Sequence, residues 1–158
     1  MKTDMKIIAF TLALAVQVSS GVAAGPDDEH HHHHHGDVAE LELHLDDGER
    51  WATDGPLRQG MDRIHAAFDR ARDDYRADQL DHEGAAALAD DVEEQVRFIF
   101  ANCALPADAD AELHKLLAAA LGAASTLRAD EDVHSGLHEL HTVLKTYGEH
   151  FDHPGWSG

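Results

Sequence analysis

The chain has 158 residues, 31 acidic against 12 basic side chains, a formal charge of −19 and 43% hydrophobic residues. A chain of this length suits one domain that buries about two-thirds of its unfolded surface, which excludes multidomain machinery and global disorder. So acidic a protein repels nucleic acid and anionic membranes, and its 15 histidines beside a single cysteine are the composition's one chemical peculiarity.

Residues 1–24 read as a secretory signal peptide, with Lys2 and Lys6 ahead of an apolar stretch over 7–16 and a small-residue cleavage site at Val22-Ala23-Ala24. The apolar stretch is about half the roughly twenty residues a membrane span needs, so cleavage, a periplasmic or otherwise exported chain and no membrane attachment are expected. Cys103 has no partner for an intrachain disulfide. In an oxidising compartment such a thiol is expected to be buried, paired with another molecule or held by a metal.

Residues 25–37 hold His30, His31, His32, His33, His34 and His35 with no apolar residue among them, which predicts a disordered histidine-rich tail. Over 38–52, Leu41, Leu43 and Leu45 alternate with polar residues ahead of Asp47-Gly48, which predicts a short strand or hairpin. Thr53 and Asp54 before Pro56 then announce a helix.

Four apolar stripes follow over 53–153. They are Leu57, Met61, Ile64, Phe68, Ala71 and Tyr75; Ala85, Leu88, Val92, Val96, Ile99 and Cys103; Leu113, Leu117, Ala120, Ala124 and Leu127, capped by Asp108 or Asp110; and Val133, Leu137, Leu140, Leu144, Tyr147 and Phe151. Spacings near 3.5 residues with short connections predict an all-α, antiparallel, up-down-up-down four-helix bundle, with 154–158 as a C-terminal tail.

In that topology Met61, Cys103, His114, His150 and His153 fall at one end of the bundle, with His44 and Trp51 entering there. Thioether, thiolate and imidazole make a soft ligand set suited to Cu(I), or to zinc without the methionine. A second set is the stripe His134, His138 and His141, from which His138 and His141 with His65 across a helix edge would supply three imidazoles. Tail histidines chelate divalent transition ions by proximity alone. Packing and solvation are the plain alternatives for all of these side chains.

Other chemistry is poorly represented. Glu131-x-x-His134 is half of a di-iron carboxylate pattern, and His138-Glu139-Leu140-His141 is one residue short of the zinc-protease helix motif. No phosphate loop, covalent haem motif or nucleophile elbow is present, so enzymatic activity is not expected.

Met61 early in the first helix and His150 late in the fourth resemble the axial ligand positions of cytochrome b562-like bundles, which implies non-covalent haem b and electron transfer. Three blocks carry a second resemblance. They are Arg50-Trp51-Ala52-Thr53-Asp54-Gly55-Pro56-Leu57 with Met61; Asn102-Cys103-Ala104-Leu105-Pro106 with Ala109-Asp110-Ala111 and Leu113-His114; and Tyr147-Gly148 with Phe151-Asp152-His153-Pro154-Gly155-Trp156. Together they resemble an uncharacterised group of bacterial exported proteins with histidine-containing N-termini, and all map to the bundle end that gathers the candidate ligands. The leading expectation is an exported transition-metal-binding protein that buffers or delivers copper or zinc. The alternatives are the haem bundle and a non-catalytic interaction module, with Trp51 and Trp156 capping an apolar end that a protein partner or second copy covers.

Overall fold

Aspartates open three of the four helices by the same device. Asp54 accepts a hydrogen bond from the Leu57 amide at the start of α1 (Gly55–Arg76), Asp81 from Gly84 at α2 (His82–Asn102), and Asp132 from Ser135 at α4 (Val133–His150). The fourth, α3 (Ala107–Arg128), begins at Pro106 with no side-chain cap. Asp108 and Asp110, expected as its caps, lie instead inside the first turn, where carboxylates face the positive end of the helix dipole.

The structure is a computed structural model that describes residues 41–129 and 132–157, all within the unit Gly36–Gly158. The signal segment, the histidine tail, residues 38–40 and Glu131 lie outside the described residues.

The four helices form an all-α four-helix bundle. Cross-helix contacts pair rising numbers on one helix with falling numbers on the next: Arg63 with Gln95 and Arg70 with Asp91, Phe100 with His114 and Asp90 with Arg128, Thr126 with Glu139, Phe68 with His141 and Tyr75 with His134. Leu57, Met61, Ile64, Phe68, Val92, Val96, Ile99, Leu113, Leu117, Leu127, Leu140 and Leu144 fill one continuous core. Tyr75 departs from its stripe. It is 41% exposed beside His134, because it stands in the last turn of α1, beyond the core's reach. Among the described residues no helix is long and apolar enough to cross a membrane.

Of the short strand or hairpin expected over 38–52, the described residues give the turn at Asp47-Gly48 and a two-residue strand, without a hairpin ladder. Asp46 and Glu49 exchange backbone hydrogen bonds of 2.8 Å around Asp47 and Gly48, whose φ angles of 48° and 91° make a tight turn, but no ladder grows from it. Leu41 and Leu43 pack against the core instead, and Leu45 is exposed. The ladder partner is at the far end of the chain: β1 (Trp51–Ala52) pairs in parallel with β2 (Phe151–Asp152), Trp51 opposite Phe151. Parallel strands require a crossover, and here the whole bundle serves as one. Phe151 therefore leaves α4 rather than extending its stripe, yet remains fully buried.

Candidate functional site

The start of α1, the end of α2 and the segment after α4 meet around Asp54. One carboxylate oxygen caps α1 at the Leu57 amide, 2.8 Å away, and the other accepts from the Ala104 amide at 2.7 Å. Burial alone would raise the Asp54 pKa. The Ala104 and Leu57 amides, the Cys103 thiol and Arg58 outweigh it and hold the group below the usual carboxylate value. Arg58 also donates to the Thr53 carbonyl at 2.6 Å, while the Thr53 hydroxyl donates to the Asp152 carbonyl at 2.6 Å. Arg50 reaches the Gly148 carbonyl at 3.3 Å and the Asp152 carboxylate at 3.4 Å. The first sequence block thus contacts each of the other two directly, and their polar residues form a clasp that ties both ends of the bundle chain to the end of α2.

Cys103 belongs to that clasp. Burial pushes its thiol pKa up to about 12, and the charge and hydrogen bonding of Asp54 and the charge of Asp110 add to the effect. A thiol that donates to a carboxylate is the opposite of the electropositive setting that makes cysteine a ready nucleophile or metal ligand. Alkylation of the folded protein by iodoacetamide at pH 8 should run on the order of a thousandfold slower than in 6 M guanidinium, since only thiolate reacts. A rate within tenfold of the unfolded chain's would contradict this placement.

Beside the clasp lies a buried aromatic cluster. His153, 7% exposed, has Nδ1 3.0 Å from the Tyr147 hydroxyl and Nε2 3.4 Å from the Asp62 carboxylate. The carboxylate selects the tautomer with the proton on Nε2, which leaves Nδ1 to accept from Tyr147. Trp156 covers the pair, with ring centroids 4.7 Å from Tyr147, 5.1 Å from His153 and 4.8 Å from His65. Gly148 makes this approach feasible: a Cβ there would stand 2.7 Å from the indole. Residues 154–156, expected as part of a C-terminal tail, form a turn closed by the Trp156 amide donating to the His153 carbonyl at 3.1 Å. Burial lowers the His153 pKa, Asp62 opposes that shift in part, and Arg58 reinforces it. Burial likewise raises the Tyr147 pKa, with Asp62 contributing, so both groups rest neutral.

The expected ligand sets disperse. Met61 is 1% exposed in the core. His114 is exposed, its ring tilted by 51° against Phe100, with Nδ1 2.8 Å from the Asp110 carbonyl. His150 places Nδ1 2.9 Å from the Thr146 carbonyl and lines a groove of about 1070 Å³ between α3 and α4, which Met61 does not reach. The pair read from cytochrome b562-like bundles is thus divided between the core and that groove. Of the imidazole set, His65 sits under Trp156 and 3.6 Å from Asp69, His141 stacks on Phe68 at 5.9 Å, and His138 edges the α3–α4 groove. Among the described residues no group of three or more His, Cys, Asp or Glu side chains is placed to hold a metal ion.

Three residues central to this end escaped sequence reasoning. The sequence marks Asp54 only as a cap, and Asp62 carries no signal among so many acids. Glu112, 8% exposed, takes the His44 amide at 2.9 Å and Lys115 at 2.8 Å, and so holds the extended segment on α3. Burial would raise the Glu112 pKa, but Lys115 and His44 lower it on balance. Its position between Ala111 and Leu113, beside the core stripe, was the one available hint. Comparison of the chain with protein-family models, with curated proteins and with solved structures gives no match.

Proposed function

We propose that the protein is an exported, non-catalytic carrier of transition-metal ions, copper or zinc, in which the histidines of residues 30–35 take the ion. The observation that carries this reading is the run of six adjacent imidazoles in a chain of charge −19. Adjacent imidazoles chelate, the negative field concentrates cations, and the Irving–Williams order favours Cu(II) over Zn(II) at such nitrogen sites. The bundle end supports the reading by elimination. Met61 is committed to packing, the Cys103 thiol to a hydrogen bond, and His153 to Tyr147 and Asp62.

Calorimetric titration of the full chain with Cu(II) and Zn(II) tests it, beside a chain whose six histidines at 30–35 are replaced by serine. The intact chain should bind two or more ions, the substituted chain no more than one. Binding should weaken as pH falls through about 6.5, because only neutral imidazole coordinates. Equal stoichiometry in the two chains would overturn the proposal.

A further inference from the structure

Ring nitrogens divide the described histidines into two groups. His44 faces Glu112 at 3.5 Å, His65 faces Asp69, His114 faces Asp110, His150 faces the Thr146 carbonyl, and His153 is held on both sides. His82 is engaged as well. The exceptions are His134, His138 and His141, all exposed on α4. Among the described residues no hydrogen bond or ion pair takes a ring nitrogen of these three, and their contacts are with ring faces or the groove edge. The structure thus leaves uncommitted three imidazoles that share one helix at positions i, i+4 and i+7.

We infer that His134 and His138 form a two-imidazole clamp on α4 for a divalent first-row transition ion, with water completing the coordination. Residues four apart on a helix lie one above the other, about 6 Å between Cβ atoms, and two histidines at this spacing are what zinc-binding helices use to hold an ion. His138 has a second neighbour in His141, three residues on, but that ring lies within 19° of parallel to Phe68. The Arg72 guanidinium stands 5.5 Å over the same Phe68 ring. Arg72 is itself paired with Asp69 at 2.9 Å, so His141 lies in an occupied stack, whereas among the described residues the ring contact of His134 is the tilted one with Tyr75 at 6.3 Å. The clamp spans the first two turns of α4 and binds only when the helix is formed, so its ion stabilises the fold. In the class of ion it rests on the function proposed above, but not on the histidine run.

The test uses the full chain with the six run histidines replaced by serine, so that the run contributes nothing. Thermal unfolding is followed by circular dichroism with buffered Cu(II), and stoichiometry is read by calorimetry. One ion per chain and a rise in Tm of roughly 10–15 °C at a hundredfold excess over Kd are expected. His134→Ala and His138→Ala, added singly, should each weaken binding at least tenfold and cut the Tm rise by about half or more, while His114→Ala leaves both unchanged. Both clamp residues are exposed, so metal-free helicity should match the parent and separates lost binding from lost structure. No Cu(II)-dependent rise in Tm, or binding that survives His134→Ala and His138→Ala, would overturn the clamp. Failure of the run is read separately, as an intact chain that binds no more ions than the serine chain.

Discussion

Replacing Asp54 by alanine should destabilise the protein by about 3 kcal/mol and lower its Tm by roughly 15 °C. The size follows from what one carboxylate does here: it caps α1, takes the Ala104 amide and accepts from the Cys103 thiol. Loss of a helix cap alone costs about 1 kcal/mol, and a hydrogen bond to a charged group contributes about 1.5–3 kcal/mol. Asparagine keeps one acceptor for the Leu57 amide but presents an NH2 group where Ala104 donates, so Asp54→Asn should recover roughly half of the loss. Because its pKa is depressed in the folded state, the carboxylate's contribution is fully present above its unfolded value of 3.8 and disappears as pH falls through the folded one. Urea unfolding of the three proteins at pH 7 and pH 3 measures both claims. An alanine variant within about 0.5 kcal/mol of the parent at pH 7 would remove Asp54 from the centre of the clasp.

The second large effect belongs to His153. Its replacement by alanine leaves the fully buried Tyr147 hydroxyl without its acceptor and takes a wall from the Trp156 site. The expected cost is about 2–3 kcal/mol. A pH signature separates this role from simple packing. His153 is faced by Asp62 and Arg58 from α1, by Tyr147 from α4, and by Trp156, whose ring also contacts His65. Burial outweighs Asp62 and lowers the imidazole pKa, so the folded state favours the neutral ring. The corresponding stability is complete above the unfolded value of 6.5 and declines as pH falls from there toward the folded pKa. Parent protein should lose stability between pH 7.5 and pH 5, with a change in Trp156 fluorescence. His153→Ala should lose markedly less over that interval. Equal slopes for parent and variant would assign the acid sensitivity to other histidines.

The helices were legible because each carries its own local instructions: an apolar residue every three or four positions, an aspartate at the start of three of them, and Pro56 in the first turn of α1. The limits of that language show at Tyr75 and Phe151. Both continue a perfect spacing, yet one lies past the end of the core and the other has left the helix. Pairing of Trp51 with Phe151 has no local signature, since two extended residues announce neither a partner nor its distance. At the candidate site, antiparallel topology predicts Met61, Cys103, His114, His150 and His153 toward one end of the bundle. What each donor does there depends on neighbours remote in sequence. Cys103 looks like a soft ligand until Asp54 stands beside it, and His153 looks like an open imidazole until Tyr147 and Asp62 occupy its nitrogens. Asp62 and Glu112 were hidden by abundance, two acids among 31.

The clasp between the two strands joins segments 98 or 99 residues apart along the chain. Closing a loop of that length costs about 4 kcal/mol of chain entropy by the (3/2)RT ln n relation, while neighbouring helices are linked by only a few residues. Helical hairpins are therefore expected to assemble first, with the joint between Arg50, Thr53, Gly148 and Asp152 made last, on a bundle already formed. Interactions that arise after the rate-limiting step leave the speed of folding nearly untouched and govern how long the finished molecule stays shut. The smallest element of regular structure among the described residues, two residues on each side, is thus expected to act as the bolt that sets the lifetime of the closed form.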